Sequence, residues 1–255
     1  MCALPAWAGL ELRDVRVTEG SAGPVRTEPL TAYPHDELTF RFTARGVKTT
    51  AGKASLDITL RLLRGTTELH KHTQPLTGLL ALGGEQLAGQ VELKLAGDIA
   101  PGEYTVNVSV TDKLDEHTVH FERPLTVKKA SFALLYPRFS VDPKGDYPTT
   151  LAGHPGQALY LRTKCIGFDN LNKKVDVQFQ LQLYDANGNE LLAEPLTAQA
   201  LSEDGENASK IDVLTFRGQL LLNRPGKFKL ALTATDRQGR QSTTWSHDFT
   251  VAAKD

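Results

Sequence analysis

Two pairs of histidines are the first residues able to do chemistry. His70-Lys71-His72 puts two imidazoles on one face of an extended strand, and His117-Thr118-Val119-His120 adds two more in the same half of the chain. Neutral imidazoles at that spacing are zinc ligands, but a zinc site needs three or four of them, or cysteine and carboxylate in support. No cysteine or clustered carboxylate completes the set, so histidines on two solvent-facing strands are expected and no metal is assigned. Asp185-Ala186-Asn187-Gly188-Asn189 opens like a calcium loop. Glu190 stands at its sixth position, where glycine is needed, and Leu196 at its twelfth, where a bidentate glutamate is needed, so a hairpin turn is expected instead. Ser21 lies between glycines at the wrong spacing for a nucleophile elbow, and neither a phosphate-cradling loop nor a metalloprotease helix is present. No catalytic residue and no cofactor are assigned, and the chain reads as a non-enzyme.

Cys165 falls in a strand pattern and is expected to be a small core residue; Cys2 lies in the terminal tail, so no disulfide forms within either half. Aromatic residues make up 7% of the chain and mostly take inward positions, which argues against the exposed platforms that bind sugars. Tyr33-Pro34, Tyr136-Pro137 and Tyr147-Pro148 are the exceptions, and proline there stiffens the chain at turns.

The elements that carry these residues repeat with a period of two. Leu56, Ile58, Leu60 and Leu62 alternate with Asp57, Thr59 and Arg61, and Val177, Phe179, Leu181 and Leu183 alternate with Gln178, Gln180 and Gln182. One face of each strand is buried and the other wet, as in antiparallel sandwiches, and no stretch has the period of a long amphipathic helix.

The pattern occurs twice. Pro101-Gly102-Glu103-Tyr104-Thr105-Val106-Asn107-Val108-Ser109-Val110-Thr111-Asp112 returns 124 residues later as Pro225-Gly226-Lys227-Phe228-Lys229-Leu230-Ala231-Leu232-Thr233-Ala234-Thr235-Asp236. A period that long is a duplicated domain rather than a solenoid repeat. Leu38-Thr39-Phe40-Arg41 matches Leu159-Tyr160-Leu161-Arg162 at an offset of 121, so the first copy has extra residues in the loop around Glu19–Pro24. In both copies the apolar parity switches across Asp14 or Arg138, which requires a bulge or a change of sheet. The expectation is an all-β protein of two tandem antiparallel β-sandwich domains, residues 1–129 and 130–255, each of seven to eight strands and related by internal duplication.

Pro-Gly-x-aromatic followed by an alternating strand and Thr-Asp resembles the penultimate strand of immunoglobulin-like and fibronectin-III-like modules, of the kind found in tandem in uncharacterised bacterial proteins. The resemblance spans nearly the whole chain, and the Cys-Trp-Cys core of antibody domains is absent. It implies a corner anchored by the Tyr104 hydroxyl, with Phe228 retaining only the ring packing, and a first strand that crosses between sheets. It also implies an end-to-end arrangement that brings Lys173, Lys174, Arg237 and Arg240 toward Asp98, Glu103 and Glu19. The free loops are then Gly46–Lys53 and Asp112–His117.

Net charge is −1 with 29 basic and 30 acidic residues, and no basic stripe marks the sequence, so nucleic acid is not an expected partner. No apolar run is long enough to cross a membrane, and the N-terminus lacks a basic n-region and a full h-region. The sequence as it stands reads as cytoplasmic, or exported if a signal has been trimmed. The function expected is a protein-interaction or spacer module that presents loops or edge strands to a protein partner or to itself. A glycan- or polymer-binding module is the alternative. The sequence names no binding residue, because the sandwich fold hosts many functions.

Overall fold

The computed structural model describes residues 9–170, 175–202 and 211–253; Cys2, Lys173 and Lys174 lie outside the described residues. The described chain is all-β with no helix, and it divides into two compact units, Met1–Lys128 and Lys129–Asp255.

In the first unit β1 (Glu11–Glu19), β3 (Glu37–Arg45) and β6 (Gln86–Lys94) form a three-stranded sheet in the order β1-β3-β6. β2 (Thr31–Ala32), β4 (Lys53–Arg64), β5 (Thr67–Leu79), β7 (Gly102–Asp112) and β8 (Thr118–Val127) form a second, ordered β2-β8-β7-β4-β5. Even-numbered residues of β3 and β4 face one shared core: Leu38, Phe40 and Phe42 from one sheet meet Leu56, Ile58, Leu60, Val106 and Val108 from the other. The Phe40 and Phe121 rings lie 6.5 Å apart across the two layers. Burial of such side chains contributes about 1.5–3 kcal/mol each relative to exposure.

In the second unit β9 (Ala133–Leu134), β10 (Arg138–Ser140), β11 (Pro148–Thr149), β12 (Ala158–Ile166) and β15 (Val213–Leu221) make one sheet, ordered β11-β10-β12-β15 with β9 also on β12. β13 (Val175–Asp185), β14 (Leu196–Ser202), β16 (Gly226–Asp236) and β17 (Gln241–Val251) make the other, ordered β14-β13-β16-β17. Leu159 and Leu161 pack on Leu181, Leu230, Leu232 and Phe249, and Cys165 packs on Val177, Phe179 and Ala234.

The parity switch has a structural cause. β1 pairs β3 on both sides of a register shift between Arg13 and Arg16, and Asp14 within it has φ of +52°. That is a bulge, and the strand keeps its sheet. The expected crossing at Asp14 is therefore displaced: the chain reaches the opposite sheet only at β2, which runs parallel to β8 through Ala32 and Val127. In the second unit β9 and β10 both pair β12 and are separated by residues 135–137. Leu135 stays attached to β12 there, since its N–H donates to the Lys164 carbonyl at 2.8 Å. The crossing again comes later, where Gly153 bridges Val251 in parallel. The extra residues of the first unit fold as a small hairpin, closed by a bridge between Thr18 and Val25.

The repeated Pro-Gly has a backbone reason. Gly102 and Gly226 sit at φ of +143° and +145°, which L side chains rarely adopt. Two residues on, the Tyr104 hydroxyl donates to the Ala100 carbonyl at 2.6 Å, with Arg64 above its ring at 5.7 Å. Phe228 has no hydroxyl; its ring packs on Phe249 at 5.6 Å, with Arg224 above it at 5.5 Å. Replacing Tyr104→Phe is expected to lower the stability of the chain by about 1 kcal/mol in denaturant unfolding, while Phe228→Leu loses ring packing without any hydrogen bond. A Tyr104→Phe variant as stable as the parent would show that the corner bond contributes nothing net.

Candidate functional site

The loops Gly46–Lys53 and Asp112–His117 meet at one buried side chain. Asp112 ends β7 with no exposed surface. Its Oδ2 accepts the Lys48 backbone N–H at 2.8 Å and its Oδ1 accepts that of Leu114 at 3.0 Å. Lys48 follows β3 and Asp112 ends β7, so one carboxylate joins a loop of the three-stranded sheet to a turn of the five-stranded sheet. The backbone closes the arrangement: Asp112 N–H donates to the His117 carbonyl at 2.9 Å and Lys113 N–H to Ser55 at 3.0 Å. Val47 is buried beside it, and Lys48, Thr49, Thr50, Lys113, Leu114, Asp115, Glu116 and His117 are left exposed on the two loops.

The second unit has the same construction 124 residues on. Asp236 is fully buried and accepts Asp169 N–H at 2.7 Å, Gln238 N–H at 3.0 Å and Gly239 N–H at 3.0 Å. Arg237 N–H donates to the Asp176 carbonyl at 3.0 Å, as Lys113 does to Ser55. Buried carboxylates are tolerated when every lone pair facing the interior is matched by a donor. The sequence shows these aspartates only as turn residues; their bracing role depends on donors 64 and 67 residues away.

The sequence-derived chemical candidates are dispersed. His70 and His72 lie on β5, while His120 lies on β8 and His117 just before it. β4 and β7 intervene in the sheet order, which puts the two pairs about 14 Å apart at one strand spacing each. Among the described residues no group of three His, Cys, Asp or Glu side chains is placed to hold a metal. The Asp185 carboxylate is occupied by its own turn, accepting Asn187 N–H at 2.8 Å and the Asn189 side-chain amide at 2.9 Å. That amide bond chiefly holds its pKa below the usual value. Ser21 lies in the turn of the small hairpin, where its carbonyl accepts Arg41. Of the tyrosines, Tyr136 packs edge-on against Trp245 at 5.7 Å, Tyr33 lies under Lys128 at 5.8 Å and Tyr147 is exposed.

Among the charges implied to face one another, Arg237 donates to Gln178 at 2.8 Å and Glu103 accepts the Thr126 hydroxyl at 2.9 Å, each within its own unit. A partly buried ion cluster that no sequence pattern shows lies beside the small hairpin. Arg26 Nη2 donates to Glu19 at 2.6 Å and to Asp36 at 2.8 Å, and Nη1 to the Thr31 carbonyl at 2.8 Å. Its three partners come from separate segments, which is why the sequence gives no sign of it.

The edge strands differ from one another. β5 ends its sheet with Lys71 and Pro75 on it and a register shift opposite Leu62 and Leu63. Lysine, proline and bulges are the usual protections of a strand edge. β17 ends its sheet with neither lysine nor proline, paired to β16 without a shift from Gln241 to Val251.

No protein-family profile matches the sequence, and no curated protein matches it. Among solved structures, the chain is similar to dimeric latent PorU from Porphyromonas gingivalis, with 14% identity and a TM-score of 0.39 over 97% of this chain. It spans 20% of that protein's length. It is also similar to the C-terminal domain of the Streptococcus pyogenes antigen I/II-family protein AspA, with 8% identity and a TM-score of 0.30, covering 96% of this chain and all of that one. The C-terminal domain of the Streptococcus agalactiae antigen I/II polypeptide BspA gives 7% identity and 0.30 over 94% of this chain and all of that one. Scores this low carry no argument about function. Among the described residues no helix is long and apolar enough to cross a membrane.

Cys165 has no exposed surface; burial pushes its thiol up to about 12, and the nearby Asp236 carboxylate adds to the shift. The folded state keeps a proton that the unfolded chain, at an ordinary value of 9.0, releases, so stability is lost as pH rises from 9.0 toward about 12. Urea unfolding on either side of that onset is expected to show this loss in the parent and a smaller slope in Cys165→Ala. Equal slopes would remove the thiol as the cause. Asp112→Ala and Asp236→Ala, which leave buried N–H donors unmatched, are each expected to cost about 3 kcal/mol in the same assay.

Proposed function

We propose that the chain is a non-enzymatic protein-interaction module built from two immunoglobulin-like sandwiches related by duplication, residues 1–129 and 130–255. The observation that carries this reading is the buried Asp112 carboxylate, which locks Gly46–Lys53 to Asp112–His117 and turns two loops into one rigid platform. Loops held on a rigid scaffold are the usual seat of recognition, because little conformational entropy is lost on binding. The β17 edge short of Val251, where Gly153 bridges it, has no lysine, proline or bulge and is the second surface, able to accept a strand from a partner or from a second copy.

The test is affinity capture from native extract with the tagged full chain, beside a variant with both loops replaced by Gly-Ser and a Ser246→Lys variant of the β17 edge. Specific capture of one protein by the parent, lost in the loop variant and kept in Ser246→Lys, is the expected outcome. Loss in Ser246→Lys alone moves the interface to the strand edge. Capture unaffected by both variants overturns the assignment of the interface to the loops and the β17 edge, and an absence of specific capture overturns the reading as an interaction module.

A further inference from the structure

The sheet of β9, β10, β11, β12 and β15 carries four basic side chains, Arg138, Arg162, Lys164 and Arg217, and no aspartate or glutamate. Three of them stand in one line. Arg138 is directly opposite Arg162, and Arg162 is directly opposite Arg217. Arg162 lies between buried Leu161 and Thr163, so it projects from the solvent face of its strand, and both Arg162 and Arg217 are exposed. Adjacent strands are about 4.8 Å apart, so the row covers about 10 Å. Like charges directly opposite one another are destabilising, and no carboxylate of the sheet interleaves them. Arg162 spends one N–H on the Lys144 carbonyl at 3.2 Å, and a guanidinium has five. The half-buried Arg138 makes an interaction of its own.

The equivalent row of the first unit is different. Arg41, 121 residues before Arg162, is opposite Arg16 on one side and opposite Gln90 on the other. Its sheet also carries Glu11, Asp14, Glu19, Glu37 and Glu92. Asp14 lines the same shallow cleft as Arg16 and Arg41. Of these two sheets only that of the second unit has strands without an acid, and its row joins residues 24 and 55 positions apart in the chain, so no basic run marks the sequence. The loop that accepts Arg162 carries Asp146 and also Asp142, whose carboxylate is taken up by four N–H groups of its own turn.

We propose that the solvent face of the β10-β12-β15 sheet docks a short acidic segment of a protein partner, whose carboxylates pair with Arg162 and Arg217 and meet Arg138 at the end of the row. This rests on the reading of the chain as a protein-interaction module and names the chemistry of the partner. Arginine rather than lysine forms the row, and its planar fork matches a carboxylate through two parallel hydrogen bonds. A row of about 10 Å suits a few carboxylates. A long polyanion such as nucleic acid finds no further attraction, because the whole chain has net charge −1.

The probe is fluorescent octaglutamate, followed by anisotropy with the full chain at low and at physiological salt. Saturable, salt-weakened binding is expected, reduced about tenfold or more in Arg162→Gln/Arg217→Gln and unchanged in Arg41→Gln of the first unit. The double variant is expected to melt no lower than the parent, since it removes a like-charge pair. An absence of binding at low salt, an equal loss in Arg41→Gln, or tighter binding of an oligothymidylate of equal charge overturns the proposal; the last reassigns the face to nucleic acid. The two readings fail separately. A chain that captures a protein through its loops and ignores octaglutamate keeps the module and loses this face, and one that binds octaglutamate through the row but captures nothing keeps the face and loses the loops.

Discussion

A carboxylate taken out of water has to be surrounded by donors, and at the ends of β7 and β16 those donors are backbone N–H groups. One comes from a loop that follows a strand of the opposite sheet and the others from the aspartate's own turn. Apolar packing alone holds two sheets face to face but is tolerant of sliding, because the hydrophobic effect has no direction. Hydrogen bonds of 2.7 and 2.8 Å to a charged acceptor are directional and close to the optimum length. They fix where the loop after β3 meets the turn after β7, and where the loop after β12 meets the turn after β16. The loop conformations, the exposure of Lys48 and Leu114 and the burial of Val47 and Phe168 all follow from that junction. At the far end of β7 the Tyr104 hydroxyl and the Ala100 carbonyl form the other fixed point of the first unit.

Much of this was legible from local pattern. Alternation in Leu56–Leu62 and Val177–Leu181 places those strands with the correct face inward, because a strand has a side-chain period of two whatever its neighbours. The parity switch at Asp14 marks a bulge or a change of sheet for the same reason, and the register of β1 on β3 shows it to be the bulge. Gln182 departs from its run: it is buried, and its amide donates to the Leu192 carbonyl, so a loop covers what the alternation leaves wet. The place where the chain changes sheets was not legible, since that depends on β2 finding β8 some 95 residues later. The Arg26 cluster and the arginine row were hidden for different reasons. The members of the Arg26 cluster all lie within Glu19–Asp36 but follow no periodic pattern, and those of the row are neighbours only through cross-strand register 24 and 55 residues apart.

The two units spend their polar residues differently, and the difference follows the layers. The inward features recur at fixed offsets: a fully buried aspartate at the end of the long strand, a parallel bridge at Ala32–Val127 and Gly153–Val251, a positive-φ glycine before the aromatic. Any change there leaves a buried group unmatched, at a cost of a few kcal/mol out of a total stability on the order of 10. The outward features recur only in part: Arg41 and Arg162 each donate to a carbonyl of the preceding loop, Ser21 and Lys144, while the acids around them differ. The first unit holds Arg26 between two carboxylates beside its three-stranded sheet, while the strands of the equivalent sheet in the second unit carry no acid opposite Arg162 and Arg217. An exposed side chain changes stability little, so the outer sheet faces tolerate different charge patterns on similar frames. The Arg26 cluster is matched internally, whereas the exposed Arg162–Arg217 pair has no acid on its own strands, so an acidic partner would distinguish the two units at this sheet.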